Sequence, residues 1–114
     1  MRLLRFLRRQ LNDLEIFCMQ LFVIKEINKI TKKYPKLKYR YQYDYGYDGN
    51  DTNIIEVSPE NYLDLYEDIC DYKVDLITRF YKKFSSGIFF ITTDDLTKIE
   101  DKEVIYEKEG KEYK

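Results

Sequence analysis

The chain has 114 residues, of which 36% are charged and 44% apolar, and its formal net charge is −1. This length and composition indicate one globular domain with its own core and argue against a disordered chain. Histidine and tryptophan do not occur. The lack of histidine excludes Ser–His and Cys–His nucleophile systems and histidine-containing zinc sites. The four glycines are scattered, so no glycine-rich phosphate loop is formed.

The charges are divided unevenly along the chain. Residues 1–40 contain eleven Lys or Arg and three Asp or Glu, whereas residues 58–114 contain nine and fourteen. This division predicts a two-faced surface or a head-to-tail contact, or simply the solvated faces of separate elements.

The two cysteines, Cys18 and Cys70, stand among apolar residues of predicted helices. We expect both to be small buried thiols, because no CxxC or other metal-ligand spacing occurs. A disulfide and a reactive thiol are the alternatives. We expect the protein to be cytoplasmic and to bind no cofactor or metal.

The first eleven residues, MRLLRFLRRQL, predict a basic amphipathic helix with leucines on one face and arginines beside it. Asn12 and Glu15 resemble a capping box, which predicts that a second helix starts there and runs to about Lys33. Tyr34 and Pro35 then end it.

Several interpretations of this N-terminal segment remain open. A signal peptide is disfavoured because acidic residues precede the apolar run and no small-residue cleavage site follows it. A transmembrane span is excluded by length. The segment could lie on an anionic membrane, pack on its own domain, or pack on a twin subunit. The last alternative is a start-site artefact, with Met19 beginning the compact domain.

Residues 37–45 show the clearest strand pattern in the chain, because tyrosines alternate there with Lys, Arg, Gln and Asp. Turn-forming residues follow at 48–51, so this strand and residues 53–57 should form an antiparallel hairpin.

Residues 53–93 predict a strand, a long helix and a second strand. Ser58 and Pro59 resemble a helix start, apolar residues then recur at helical spacing to Phe84, and Gly87 suits the end of the helix. The apolar stripe consists of Tyr62, Tyr66, Ile69, Cys70, Val74, Ile77, Phe80, Tyr81 and Phe84. The continuous apolar run 88–91 predicts a strand buried on both faces, in the interior of the sheet.

A last short strand over residues 103–107, at a sheet edge, and a frayed tail over 110–114 complete the prediction. The fold class is α+β in the order αββαββ, with a four-stranded, mostly antiparallel sheet and two long helices on one face. This order is also that of a circularly permuted ferredoxin-like fold. We expect one domain, with residues 1–11 as a helical extension and 12–109 as the core.

The chain loosely resembles small uncharacterised bacterial domains. In these, a YRYxYD strand is followed by an IEVxP strand-to-helix junction and an FIxxDxL segment, which here are residues 39–44, 55–59 and 90–96. The resemblance would cover residues 34–99. It implies a fold and no activity.

Two kinds of residue suggest chemistry. Carboxylates could converge near the hairpin or near the last connection and bind Mg²⁺, which would suit a metal-dependent hydrolase. The first group is Asp44, Asp48, Asp51 and Glu56, and the second is Asp94, Asp95, Glu100 and Asp101. The tyrosines could stack single-stranded bases. However, the alternating cations point to the opposite face and the pI is about 5.6, which argues against nucleic acid. We expect the tyrosine rings to lie under the helices instead.

The sequence therefore predicts a small non-enzymatic domain that works through protein–protein contact, as an immunity- or antitoxin-like inhibitor or an accessory subunit. The partner would be another protein or a second copy bound through residues 2–30. The predicted interaction surface consists of Leu3, Leu4, Leu7, Arg5, Arg8 and Arg9 together with Tyr39, Tyr41 and Tyr43.

Overall fold

The computed structural model describes residues 2–46, 51–59, 65–84, 87–93 and 99–111, with residues 2–12 described in their backbone alone. The elements follow the predicted αββαββ order, so the α+β fold class is confirmed. They are α1 (Arg2–Lys33), β1 (Lys38–Asp44), β2 (Thr52–Ser58), α2 (Ile69–Lys83), β3 (Ile88–Thr93) and β4 (Tyr106–Glu109), with a short 3-10 turn at Asp101–Glu103 before β4.

The four strands form one mixed sheet in the order β3-β2-β1-β4. β1 and β2 form the predicted antiparallel hairpin, with Tyr41 opposite Ile55. β4 pairs antiparallel with β1, and β3 pairs parallel with β2. A permuted ferredoxin-like arrangement would place the last strand between β2 and β3. That alternative is wrong here, because β4 lies at the far edge beside β1.

The position of β3 differs from the prediction. Residues 88–91 were expected in the sheet interior, yet β3 is an edge strand, and Ile88 and Phe90 are 40% and 38% exposed. The most deeply buried strand is β2, whose last six residues are all buried. A run of apolar residues makes both faces of a strand apolar, but it does not determine which neighbours the strand pairs with.

Both helices pack on one face of the sheet. Tyr43, Asn53 and Phe89 lie side by side across β1, β2 and β3. The Asn53 amide contacts the Met19 sulfur of α1 at 3.0 Å, and the ring centroids of Phe89 and Phe80 of α2 are 4.9 Å apart. Because these contacts come from one row of the sheet, α1 and α2 cover the same face. The core between them includes Met19, Val23, Ile27, Ile30, Tyr39, Tyr41, Ile55, Leu76 and Phe80.

α1 is a single helix, so the predicted break at Asn12 is wrong. Asn12 and Glu15 lie inside continuous helix, where backbone N–H groups already have carbonyl partners four residues earlier. The buried stripe of α1 begins at Met19, and residues 13–18 are exposed or half-buried. A helix of this length spans about 48 Å, and the molecule measures 55 × 29 × 23 Å. The described part of α1 before Met19 therefore projects beyond the sheet.

α2 is shorter than predicted, and its buried face is rotated. Residues 66–68 are not helical, and the expected helix start after Ser58–Pro59 falls on residues 60–64, which lie outside the described residues. The fully buried side chains include Leu76, which the predicted stripe omitted. Val74 and Tyr81 of that stripe are 65% and 46% exposed. The predicted stripe was too wide for the sheet to cover.

Gly87 has a φ of +107°, a left-handed backbone conformation that favours glycine. It is not the cap residue, however, because α2 ends at Lys83 and Phe84 caps it in an extended conformation.

The C-terminal segment is held in place as far as Gly110. β4 lies at an edge as predicted, although it starts at Tyr106 rather than at Glu103. Gly110 is buried and its N–H donates to the Leu37 carbonyl at 3.0 Å. A Cβ atom on Gly110 would lie 2.0 Å from the Pro35 carbonyl oxygen. The predicted frayed tail therefore does not begin at Gly110, because the chain there packs directly on the Pro35 backbone.

Candidate functional site

The predicted surface tyrosines lie mostly inside the protein. Tyr39 and Tyr41 are 0% exposed, and Tyr43 is half-buried against the core. The Tyr39 hydroxyl donates to the Ile30 carbonyl at 3.5 Å, and the Tyr41 hydroxyl donates to the Asn53 side-chain oxygen. The expectation that the rings lie under the helices is confirmed for these two. Their assignment to an interaction surface is corrected, because neither ring can reach a partner or stack on a base.

Burial raises the pKa of the Tyr39, Tyr41 and Tyr43 hydroxyls above the ordinary value of 10.0. Burial also raises the pKa of Tyr34 to about 12, with the neighbouring Asp68 carboxylate adding to the effect. The cause is the same at each position, because a phenolate loses more solvation than a neutral phenol when water is removed.

Raised tyrosine pKa values predict alkaline unfolding. Above pH 10.0 these tyrosines would ionise in the unfolded chain but keep their protons in the fold, so stability falls as pH rises. Each such group removes about 1.4 kcal/mol of unfolding free energy per pH unit. Tyrosinate absorbance and circular dichroism, followed together, should show these tyrosines ionising as the helices are lost. Tyr39→Phe is the matched control. It should reduce the slope of unfolding free energy against pH by the contribution of one tyrosine, about 1.4 kcal/mol per pH unit. Ionisation of Tyr39 with the helices intact would contradict the prediction.

The second face of the sheet carries a buried ion-pair cluster centred on Arg40. Arg40 is 8% exposed and Glu56 is 2% exposed. The Arg40 guanidinium lies 3.4 Å from Glu56, 2.5 Å from Asp101 and 4.0 Å from Glu107. Glu107 also accepts from Lys38 at 2.6 Å. Each of these carboxylates already pairs with a cationic side chain of the protein. The cluster therefore serves the fold and is not a ligand site.

The carboxylates predicted to converge near the hairpin are separated. Asp51 accepts hydrogen bonds from the Gly46 N–H and the Tyr43 hydroxyl, whereas Glu56 pairs with Arg40 and the Ile99 N–H. Within the described residues, no group of three or more Cys, Asp or Glu side chains is placed to hold a metal ion. Asp48, Asp94 and Asp95 lie outside the described residues.

The predicted surface residues of the N-terminal segment lie on α1. The backbone of this segment is helical, and its side chains are outside the described part of the structure. They are Leu3, Leu4, Leu7, Arg5, Arg8 and Arg9. Their predicted role in an interaction surface stays a prediction.

The structure exposes a different apolar surface just downstream. Leu14, Phe17 and Leu21 of α1 are 58%, 59% and 38% exposed. At 100° per residue, their centre lies roughly 160° around the helix from the stripe that packs on the sheet. We call these three residues the α1 stripe. It faces away from the core, and a clustered apolar surface of this kind is typical of a contact site.

A groove between α1 and α2 continues the α1 stripe. Its apolar residues are Cys18, Leu21 and Phe22, and its basic residues are Lys25, Lys29, Arg79 and Lys83. Glu26 lies below them, 3% exposed, and accepts from Arg79 at 2.6 Å. That hydrogen bond raises the pKa of Arg79. The groove thus joins the stripe to a surface with an excess of positive charge.

Cys18 and Cys70 are both free and exposed. The prediction of buried thiols is therefore wrong for both. Cys18 is on the side of α1 that carries the stripe, and Cys70 is on the side of α2 that carries Val74. Apolar neighbours in sequence did not mean a buried position, because each helix exposes part of its apolar circumference.

Sequence reasoning could have found the α1 stripe from its spacing. Leu14, Phe17 and Leu21 recur at steps of three and four, as one face of a helix requires. The signal was obscured because residues 16–24 are apolar around most of the helix, so spacing alone did not show which side packs on the sheet.

No family model, no curated protein and no solved structure shows a significant match to this chain. Among the described residues, no helix has both the length and the apolar character that a membrane span requires.

Proposed function

We propose that this chain is a small non-enzymatic protein-interaction domain, acting in the cytoplasm, whose binding element is the projecting part of α1. Within this class the candidates are an immunity- or antitoxin-like inhibitor and an accessory subunit. The observation that carries the proposal is the exposure of Leu14, Phe17 and Leu21 on a helix face directed away from the core.

Energetics support a polypeptide as the occupant of this surface. Fully burying a Leu or Phe side chain is worth about 1.5–3 kcal/mol, and the three stripe residues are about half exposed. A helix from a partner could cover all three at once, since they follow one line along α1. The free, exposed thiols of Cys18 and Cys70 suit a reducing compartment.

The competing functions have less support. A base-stacking surface needs open aromatic rings with cations beside them, and Tyr39 and Tyr41 are fully buried. A hydrolase needs a general base near its substrate. The chain has no histidine, and Glu56, Glu107 and Asp51 are held by Arg40, Lys38 and Tyr43.

Site-specific photo-crosslinking in the source cells would test the proposal. A photoreactive phenylalanine analogue at Phe17 should give a covalent adduct with a polypeptide, which mass spectrometry then identifies. Val74, 65% exposed on α2, provides the matched control position for the same analogue. An adduct at Phe17 and none at Val74 supports the proposal. No adduct at Phe17, or equal labelling at both positions, would overturn it.

A further inference from the structure

Leu14 and Leu21 of the α1 stripe belong to a longer heptad pattern, which Phe17 flanks. Leucine or cysteine occurs at residues 4, 7, 11, 14, 18 and 21, with steps of three, four, three, four and three. These are the a and d positions of a coiled coil. The backbone is one uninterrupted helix over all six positions. The described members Leu14, Cys18 and Leu21 are exposed, so the sheet does not cover this line of residues.

We propose that residues 4–21 bind the same segment of a second copy of this chain as a short antiparallel two-stranded coiled coil. The inference rests on the proposed function, because it names the occupant of the same surface. In the proposed register Leu4 stands opposite Leu21, Leu7 opposite Cys18 and Leu11 opposite Leu14. All six a and d positions then meet an apolar or thiol side chain.

The pattern specifies this register. Moving the partner by one heptad towards the globular body would bring Lys25 opposite Leu7 and Asn28 opposite Leu4. Moving it the other way would shorten the overlap to residues 4–14 and leave Cys18 and Leu21 uncovered. Either shift replaces apolar contacts with buried polar groups or with water, both of which weaken association.

Charge complementarity favours the antiparallel orientation. Arg8 and Glu15 occupy e positions, and antiparallel pairing in this register brings Arg8 of each copy near Glu15 of the other. A parallel pair would instead place Lys25 beside Lys25 at an a position, and would align the helix dipoles in the same direction. The antiparallel pair therefore brings opposite charges near each other, whereas a parallel pair would bring like charges together one turn beyond Leu21.

The position of the stripe allows this pairing without rearrangement of the fold. It lies roughly 160° around α1 from Met19, Val23, Ile27 and Ile30, which hold the helix on the sheet. A partner helix can therefore approach from the open side. Because the pattern is only two and a half heptads long, we expect a dissociation constant of about micromolar order rather than a permanent dimer.

Disulfide trapping would determine the orientation. All variants carry Cys70→Ser, so that Cys18 is the one native thiol. In the antiparallel register, Leu7→Cys added to this background should give a disulfide-linked dimer under mild oxidation, since Leu7 stands opposite Cys18. Cys18 alone should form no disulfide-linked dimer, and neither should Leu7→Cys combined with Cys18→Ser. A dimer formed through Cys18 alone would overturn the antiparallel assignment, and no dimer from the Leu7→Cys variant would overturn the register.

Light scattering of the purified chain provides the second readout. The mass should rise towards twice the monomer between about 1 and about 300 µM, the range that brackets a micromolar constant. Leu14→Glu should abolish this rise, because it places an acid in each of the two central layers. Val74→Glu, at a similarly exposed apolar position, should leave it unchanged. A monomer at every concentration would overturn the dimer. If Phe17 still crosslinks to a different protein in cells, the proposed function stands and this inference alone fails.

Discussion

Replacing Arg40 with methionine is expected to lower the free energy of unfolding by about 3–5 kcal/mol, the range for removing one partner of a buried ion pair. Glu56 is 2% exposed and lies 3.4 Å from the Arg40 guanidinium. Without Arg40 its carboxylate would stay buried with no cation beside it. Asp101 and Glu107 are exposed, so water can solvate their carboxylates when Arg40 is removed. Urea or thermal unfolding followed by circular dichroism would measure the loss.

The matched control is the double variant Arg40→Met with Glu56→Gln. Glutamine keeps an oxygen that can accept the Ile99 N–H, which Glu56 accepts in the native protein, and it removes the unpaired charge. We expect the double variant to recover most of the stability that Arg40→Met loses, because a neutral pair has little desolvation cost. Equal losses in the single and double variants would show that the charge pair is not the cause.

The second large effect is expected at Phe80. Phe80→Ala should lower the free energy of unfolding by about 3–5 kcal/mol, as cavity-forming aromatic substitutions do. Its ring is 0% exposed and lies within 4.9–6.0 Å, between centroids, of Phe22, Tyr81, Phe84 and Phe89. Losing it would empty the space between α1, α2 and β3.

Val74→Ala on the same helix is the control for Phe80→Ala. Val74 is 65% exposed, so its removal should change stability by no more than about 0.5 kcal/mol. Thermal unfolding of both variants is sufficient as a measurement. A Phe80→Ala protein as stable as the Val74→Ala protein would contradict the packing described for the α1–α2 contact.

Much of the fold was predictable because several local signals agreed. Alternating tyrosines defined β1, turn residues defined the hairpin, and Tyr34-Pro35 marked the end of α1. Each of these depends on neighbouring residues alone. The burial of Tyr39 and Tyr41 followed from the same alternation, since one face of the strand had to be apolar and the other charged.

The predictions that were wrong depended on contacts between elements, which neighbouring residues do not determine. The run Ile88–Ile91 indicated a strand but not its place in the sheet, which depends on the partners of β2. Asn12 and Glu15 matched a capping pattern, but the helix continued through them. The candidate surface was predicted on residues 3–9 of α1, whose side chains lie outside the described part of the structure, and it stays a prediction. The exposed apolar residues described on that helix are Leu14, Phe17 and Leu21. Helix periodicity shows which residues share a face, and it does not show which face another element covers.

The sequence by itself determined the order of helices and strands, the β1–β2 hairpin and the side of β1 that faces the core, because turn chemistry and side-chain alternation act over a few residues. Only the tertiary structure decided that β3 lies at an edge, that Gly110 packs on Pro35, and that α1 exposes an apolar line on its far side. These features depend on contacts between residues distant in the chain, where the area available on one sheet face limits how much of each helix can be buried.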